Sequence, residues 1–176
     1  MKRLLAFIIL SALTFGMIGC ANSEPPVDIN TGTATVKWLD FSEMSWDDVI
    51  KLELPEFPGA TFIGSALEVS IADQNGERSL FDGLPIWNVY LADITGDGLS
   101  DFVATISFGS GIIDTRVLVY DIANDILYGL SDRAVFDYEL EEDDGRLVVI
   151  RTAWGGGDRQ IGELSIIDGR LTMVHR

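Results

Sequence analysis

Apolar positions recur with a period of two along most of this chain, the pattern of strands half-buried in sheets. Leu67, Val69 and Ile71 alternate with Glu68 and Ser70. Asn75-Gly76 then predicts a hairpin turn that returns through Ser79-Leu80-Phe81. Gly83-Leu84-Pro85 breaks that run, and Ile86 to Ala92 is apolar on both faces, which predicts a central strand. Further strands are expected at Ile126 to Leu130, Ala134 to Leu140, Arg146 to Thr152, Ile161 to Ile167 and Arg170 to Val174, with Asp144-Gly145 and Asp168-Gly169 as two-residue turns.

One segment breaks the period. Ser45-Trp46-Asp47-Asp48 has the form of an N-cap followed by first-turn acids and predicts a short helix through about Leu52, closed by Pro55 and Pro58-Gly59. No interior segment is long enough for a crossover helix, so a parallel α/β sheet is not expected. The fold class is mainly β: an antiparallel meander of short strands, propeller-blade-like or a sandwich, with one short N-terminal helix.

The first twenty residues follow another pattern. Lys2 and Arg3 precede an apolar run from Leu4 to Gly19. That run is short for a spanning helix, which needs ~20 residues, and fits a secretory leader. It ends in Met17-Ile18-Gly19-Cys20, which resembles the bacterial lipoprotein box. The resemblance implies a signal peptide over 1–19, covalent lipid on Cys20 and a membrane anchor. Residues 20–36, polar and carrying Pro25 and Pro26, are the lipid-anchored cysteine and a flexible tether. Residues 37–176 form a single β-rich extracytoplasmic domain. Cys20 is the only cysteine, so no disulfide forms within one chain.

Charge narrows the partners. The formal net charge is −16, and loss of Lys2 and Arg3 with the leader takes it to −18. Such a body repels nucleic acid and anionic headgroups, so nucleic acid is excluded as a direct ligand.

The acidic stretch Asp93-Ile94-Thr95-Gly96-Asp97-Gly98-Leu99-Ser100-Asp101 offers oxygens at loop positions one, three, five and nine, with glycine at six. Calcium takes six to eight hard oxygens, and a glycine at six lets alternate side chains converge. The candidate ligands are the carboxylates of Asp93, Asp97 and Asp101, the Thr95 hydroxyl and the Leu99 carbonyl. Thr95 stands where Asp or Asn usually binds, and Ala104 replaces the bidentate Glu of an EF-hand. Two readings stay open: a weak structural Ca²⁺ site, and a tight hairpin whose aspartates accept backbone N–H groups. The loop resembles the calcium loops of FG-GAP and related propeller repeats.

Catalytic sets are missing from the sequence. The glycines of Phe108-Gly109-Ser110-Gly111 adjoin the serine, unlike a nucleophile elbow. His175, the sole histidine, is penultimate, and neither HExxH nor SxxK occurs. Trp154, beside Gly155-Gly156-Gly157, is the candidate ligand-binding residue: an indole on a mobile loop offers a stacking face to a sugar or a partner side chain.

MSWDDVIKLELPEFPG, LPIWNVYLADITGDGLSDFVATISFGSGIIDTRVLVYD and LSDR resemble an extracytoplasmic β domain of Gram-positive bacteria. That domain occurs alone as lipoproteins or attached to beta-lactam-sensor-type membrane metallopeptidases. The resemblance spans about Trp46 to Asp168, implies a stand-alone module and transfers no catalytic residue. The expected function is a lipid-anchored, non-enzymatic binding or envelope-sensing module on the extracytoplasmic face of the cell membrane, with an envelope protein or glycan as partner. The alternatives are a cation-assisted carbohydrate hydrolase joining the acidic loop to Trp154, and a calcium-stiffened structural spacer.

Overall fold

The computed structural model describes residues 35–109, 114–132 and 135–175. The leader, Cys20, most of the tether, Ser110-Gly111 and Arg133 lie outside the described residues. Among the described residues, thirteen strands form three antiparallel sheets. The first sheet contains β2 (Val49–Leu52), β3 (Thr61–Ser65), β4 (Glu68–Asp73) and β5 (Gly76–Asp82) in sequential order. The second contains β6 (Ile86–Ala92), β7 (Asp101–Phe108), β8 (Asp114–Asp121) and β9 (Ile126–Leu130), with β1 (Val36–Asp40) added beside β6. The third contains β10 (Phe136–Asp143), β11 (Arg146–Ala153), β12 (Arg159–Ile167) and β13 (Arg170–His175). Each meander pairs neighbours in sequence, so the fold is mainly β and antiparallel as its alternation predicts.

The second sheet lies between the other two, and its side chains show it. Phe102, Ala104 and Ile106 of β7 enter one core with Phe62, Val69 and Phe81 of the first sheet. Val103, with Val117 and Val119 of β8, enters another with Tyr138, Leu147, Val149 and Leu164 of the third. A strand covered on both faces must be apolar throughout, and seven of the eight residues of β7 are buried. Phe102 locks the first interface. Its ring meets Phe62 edge-on at 4.9 Å and Trp38 at 5.2 Å, arrangements worth ~0.5–1.5 kcal/mol beyond area burial.

The turn chemistry follows the sequence closely. Asp144 and Gly145 have φ of 52° and 77°, and Asp168 and Gly169 have 51° and 74°, the paired positive values of a type I′ hairpin. The first hairpin differs by one residue. Asp73 pairs with Gly76, so Gln74-Asn75 form the turn, and the Asp73 carboxylate accepts the Asn75 N–H at 2.6 Å.

The helix expected through Leu52 is absent. Val49–Leu52 is a strand paired with Phe62–Ser65, and the helical element among the described residues is a single 3-10 turn at Phe41–Glu43. β-Branched Val49 and Ile50 favour extended backbone, and pairing to β3 supplies hydrogen bonds that a helix of this length could not match. The apparent cap has another use: the Asp48 carboxylate accepts the Ser45 N–H at 2.8 Å and closes a turn. Strand β4 also departs from strict alternation. A bulge between Val69 and Ser70 puts both, and Ile71, inside, while Leu67 stays exposed.

Candidate ligand-binding cleft

The cleft starts from an irregularity in β6. Ile86 pairs with Ile106 and Asn88 with Thr105, so Trp87 is an extra residue against β7. A bulge re-aims its side chain, and Trp87 emerges 41% exposed from a strand otherwise largely buried. Its ring is held in place: the indole N–H donates to the Ser107 hydroxyl at 2.7 Å, and Phe41 meets it edge-on at 5.8 Å.

Across the gap stands Trp154, 55% exposed. It follows β11 in a turn closed by a 3.1 Å bond from the Gly156 N–H to the Ala153 carbonyl. Gly155 takes φ 86° there, a conformation that needs glycine. The Trp154 N–H donates to the Val135 carbonyl at 2.8 Å, tying this loop to the start of β10. Trp154 is therefore anchored through its backbone while its ring stays open to solvent.

Between the two indoles lies a cleft of about 500 Å³ where the second and third sheets part. Asn88, Thr105 and Thr115 line it from the second sheet, and Asp137, Tyr138 and Glu139 from β10. The Asn88 side-chain oxygen accepts the Thr105 N–H at 3.3 Å, which leaves its amide NH₂ as a donor. The Thr105 hydroxyl is buried and has no hydrogen-bond partner, an arrangement that costs free energy unless something polar reaches it. Tyr138 is fixed by donating its hydroxyl to Asp132 at 2.5 Å. Burial, then the adjacent Asp132 carboxylate, pushes its phenol well above the usual value and keeps it protonated. The lining combines three aromatic rings with polar side chains. Among the described residues it includes two acidic residues and no basic one.

The acidic loop is a different construction at the other end of the same ladder. Asp101 pairs with Ala92, whereas Thr105 pairs with Asn88; four residues of strand amount to roughly 13 Å. No residue of the acidic loop lines the cleft, so Trp154 and Asp93–Asp101 do not form one site. Within the loop, Asp93 accepts the N–H groups of Gly96, Asp97 and Gly98 at 2.7, 3.2 and 3.0 Å. Asp97 accepts from Leu99 at 2.8 Å. Asp101, 1% exposed, accepts from Ile94 and Thr95 at 2.8 and 2.9 Å. Gly98, at loop position six, has φ 86°.

Burial pushes the Asp101 carboxyl up to about 6; the N–H bonds from Thr95 and Ile94 oppose the shift, and the neighbouring Asp121 charge adds to it. The Thr95 hydroxyl itself is buried without a hydrogen-bond partner among the described residues. Among the described residues, no three acidic, histidine or cysteine side chains gather around a common point. The carboxylates that the sequence offers at ligand spacing accept N–H groups of the loop's own backbone.

Comparison of the chain with protein families, with characterised proteins and with solved structures finds no match. The functional reading therefore stands on the geometry. Of the residues that line the cleft, the sequence singles out Trp154 and gives no prominence to Trp87, Asn88, Thr105, Asp137 or Glu139. The available signal was Trp87 itself, a large aromatic in an apolar run beside a polar Asn88.

Proposed function

We propose that the chain is a non-catalytic binding module, carried by lipid on Cys20 and held off the outer face of the cell membrane by the tether to residue 36. Its β domain captures an envelope ligand between Trp87 and Trp154. The observation that supports this reading is the cleft: two positioned, solvent-facing indoles flank a polar floor that contains an unpartnered hydroxyl. Binding sites for small ligands combine apolar walls with a few polar groups in this way. Among the described residues the lining holds no histidine, cysteine or lysine, and the Ser107 hydroxyl behind it accepts the Trp87 indole N–H.

The test uses the full-length chain in membranes and Trp154→Ala beside it. Solubilised envelope fractions should protect Trp154 from oxidative labelling, and the alanine variant should retain less of the protecting material. Equal labelling with and without every fraction would refute the reading.

A further inference from the structure

The aromatic surface does not stop at the cleft. Beyond Trp87, Phe41 stands edge-on to it at 5.8 Å and edge-on to Trp46 at 4.7 Å. Trp46 is itself 55% exposed. The rings come from three separate places: the 3-10 turn after β1, the turn before β2 and the bulge of β6. Their convergence leaves three large indoles, Trp46, Trp87 and Trp154, open to solvent in a chain that buries its other tryptophan partly against Phe102. An exposed aromatic row continuous with a polar cleft is a surface built for a long ligand.

Resting on the cleft reading above, we propose that this surface takes a neutral oligosaccharide strand, one sugar seated between Trp87 and Trp154 and the following sugars running over Phe41 toward Trp46. Three features select that chemistry. Pyranose rings present apolar C–H faces that pack on indoles and equatorial hydroxyls that need both donors and acceptors. The floor supplies both, with the Asn88 NH₂ as a donor and the Thr105 and Thr115 hydroxyls able to donate or accept. Asp137 and Glu139, with no cation among the described lining residues and on a chain of net charge −16, repel anionic glycans. A proline-rich peptide could also lie on aromatic rings. It would bring few groups to pair with the Asn88 amide and two threonine hydroxyls, so the polar floor favours sugar.

The experiment titrates the full-length chain in detergent with cellotetraose, chitotetraose, their monosaccharides and tetragalacturonate, and reads affinity by calorimetry. The neutral tetramers should bind at least roughly tenfold more tightly than the monosaccharides and than tetragalacturonate. Trp46→Ala should erase the advantage of length without changing monosaccharide affinity, and Trp46→Tyr should keep part of it. Trp154→Ala should weaken both. Tetramer binding no tighter than monomer, or unaffected by Trp46→Ala, overturns the strand while the cleft reading stands. Protection of Trp154 by a proline-rich peptide and by none of the sugars overturns the glycan class alone. Absence of any ligand that perturbs Trp154 brings down both.

Discussion

The indole N–H of Trp87 donates to the hydroxyl of Ser107, a residue buried twenty positions later on the neighbouring strand, at 2.7 Å. A bulge turns Trp87 outward, and this bond fixes the angle at which it emerges. Ordering a large ring before the ligand arrives removes part of the entropy that binding must otherwise overcome. Ser107→Ala should therefore lower ligand affinity several-fold while costing only about 1 kcal/mol of stability. Parallel urea melts and titrations check it. An equal loss of both would make Ser107 a folding residue only.

Asp101 gives the domain a pH dependence. Its carboxyl titrates at about 6 in the folded chain against 3.8 as an unperturbed group. The folded state thus holds this proton more tightly than the unfolded state. The stability it contributes is fully present below about pH 4 and is lost as pH rises through about 6. Asp101→Asn keeps an acceptor for Ile94 and Thr95 and cannot ionise. Relative to it, the wild-type chain should lose stability between pH 4 and pH 7, by up to about 3 kcal/mol. Denaturant melts at the two ends of that range measure the difference. A difference that stays constant with pH contradicts the assignment.

Asp93 accepts three backbone N–H groups, and Asp97 accepts one. Asp93→Ala should cost on the order of 1–2 kcal/mol, since water reaches part of this loop and replaces some of the lost bonds. Asp97→Asn should be nearly silent in EDTA, because the amide oxygen still accepts from Leu99. That silence makes it the probe for calcium. A melting temperature raised by millimolar calcium in the wild type and not in Asp97→Asn would establish a metal site. Equal melting in calcium and EDTA leaves the aspartates as turn formers.

The anchor is tested apart from the cleft. Cys20→Ala should move the protein from the membrane fraction to the supernatant, because the acyl chains supply ~0.8 kcal/mol per buried CH₂. Unchanged partition would show that something else holds it.

The parts of this fold legible in the sequence were those set by neighbours along the chain. Ile86 to Ala92 read as a central strand because both of its faces are covered, and β1 and β7 indeed flank it. Asp144-Gly145 and Asp168-Gly169 declared their turns because few other pairs accept two positive φ values. Gly98 did the same in the acidic loop. Strand β2 was misread because Ser45 and Asp48 match a helix start locally, and only pairing to β3 decides the matter. The cleft was illegible for a related reason. Trp154 stood out alone, but Trp87 faces outward only through a bulge that depends on register, and Asn88, Thr105 and Asp137 meet only once two sheets stack. Carboxylate spacing in the acidic loop leaves both readings open, since backbone donors and a metal ion ask for the same oxygens.

The most direct test follows the indole N–H signals of the four tryptophans by NMR while a neutral oligosaccharide is added. Trp87 and Trp154 line the cleft, and Trp38 packs beside the core. The account predicts that the Trp87 and Trp154 signals shift together and saturate with one affinity, while that of Trp38 stays in place. Signals from Trp87 and Trp154 that hold still while the amides of Gly96 and Gly98 move would contradict it and transfer the site to the acidic loop.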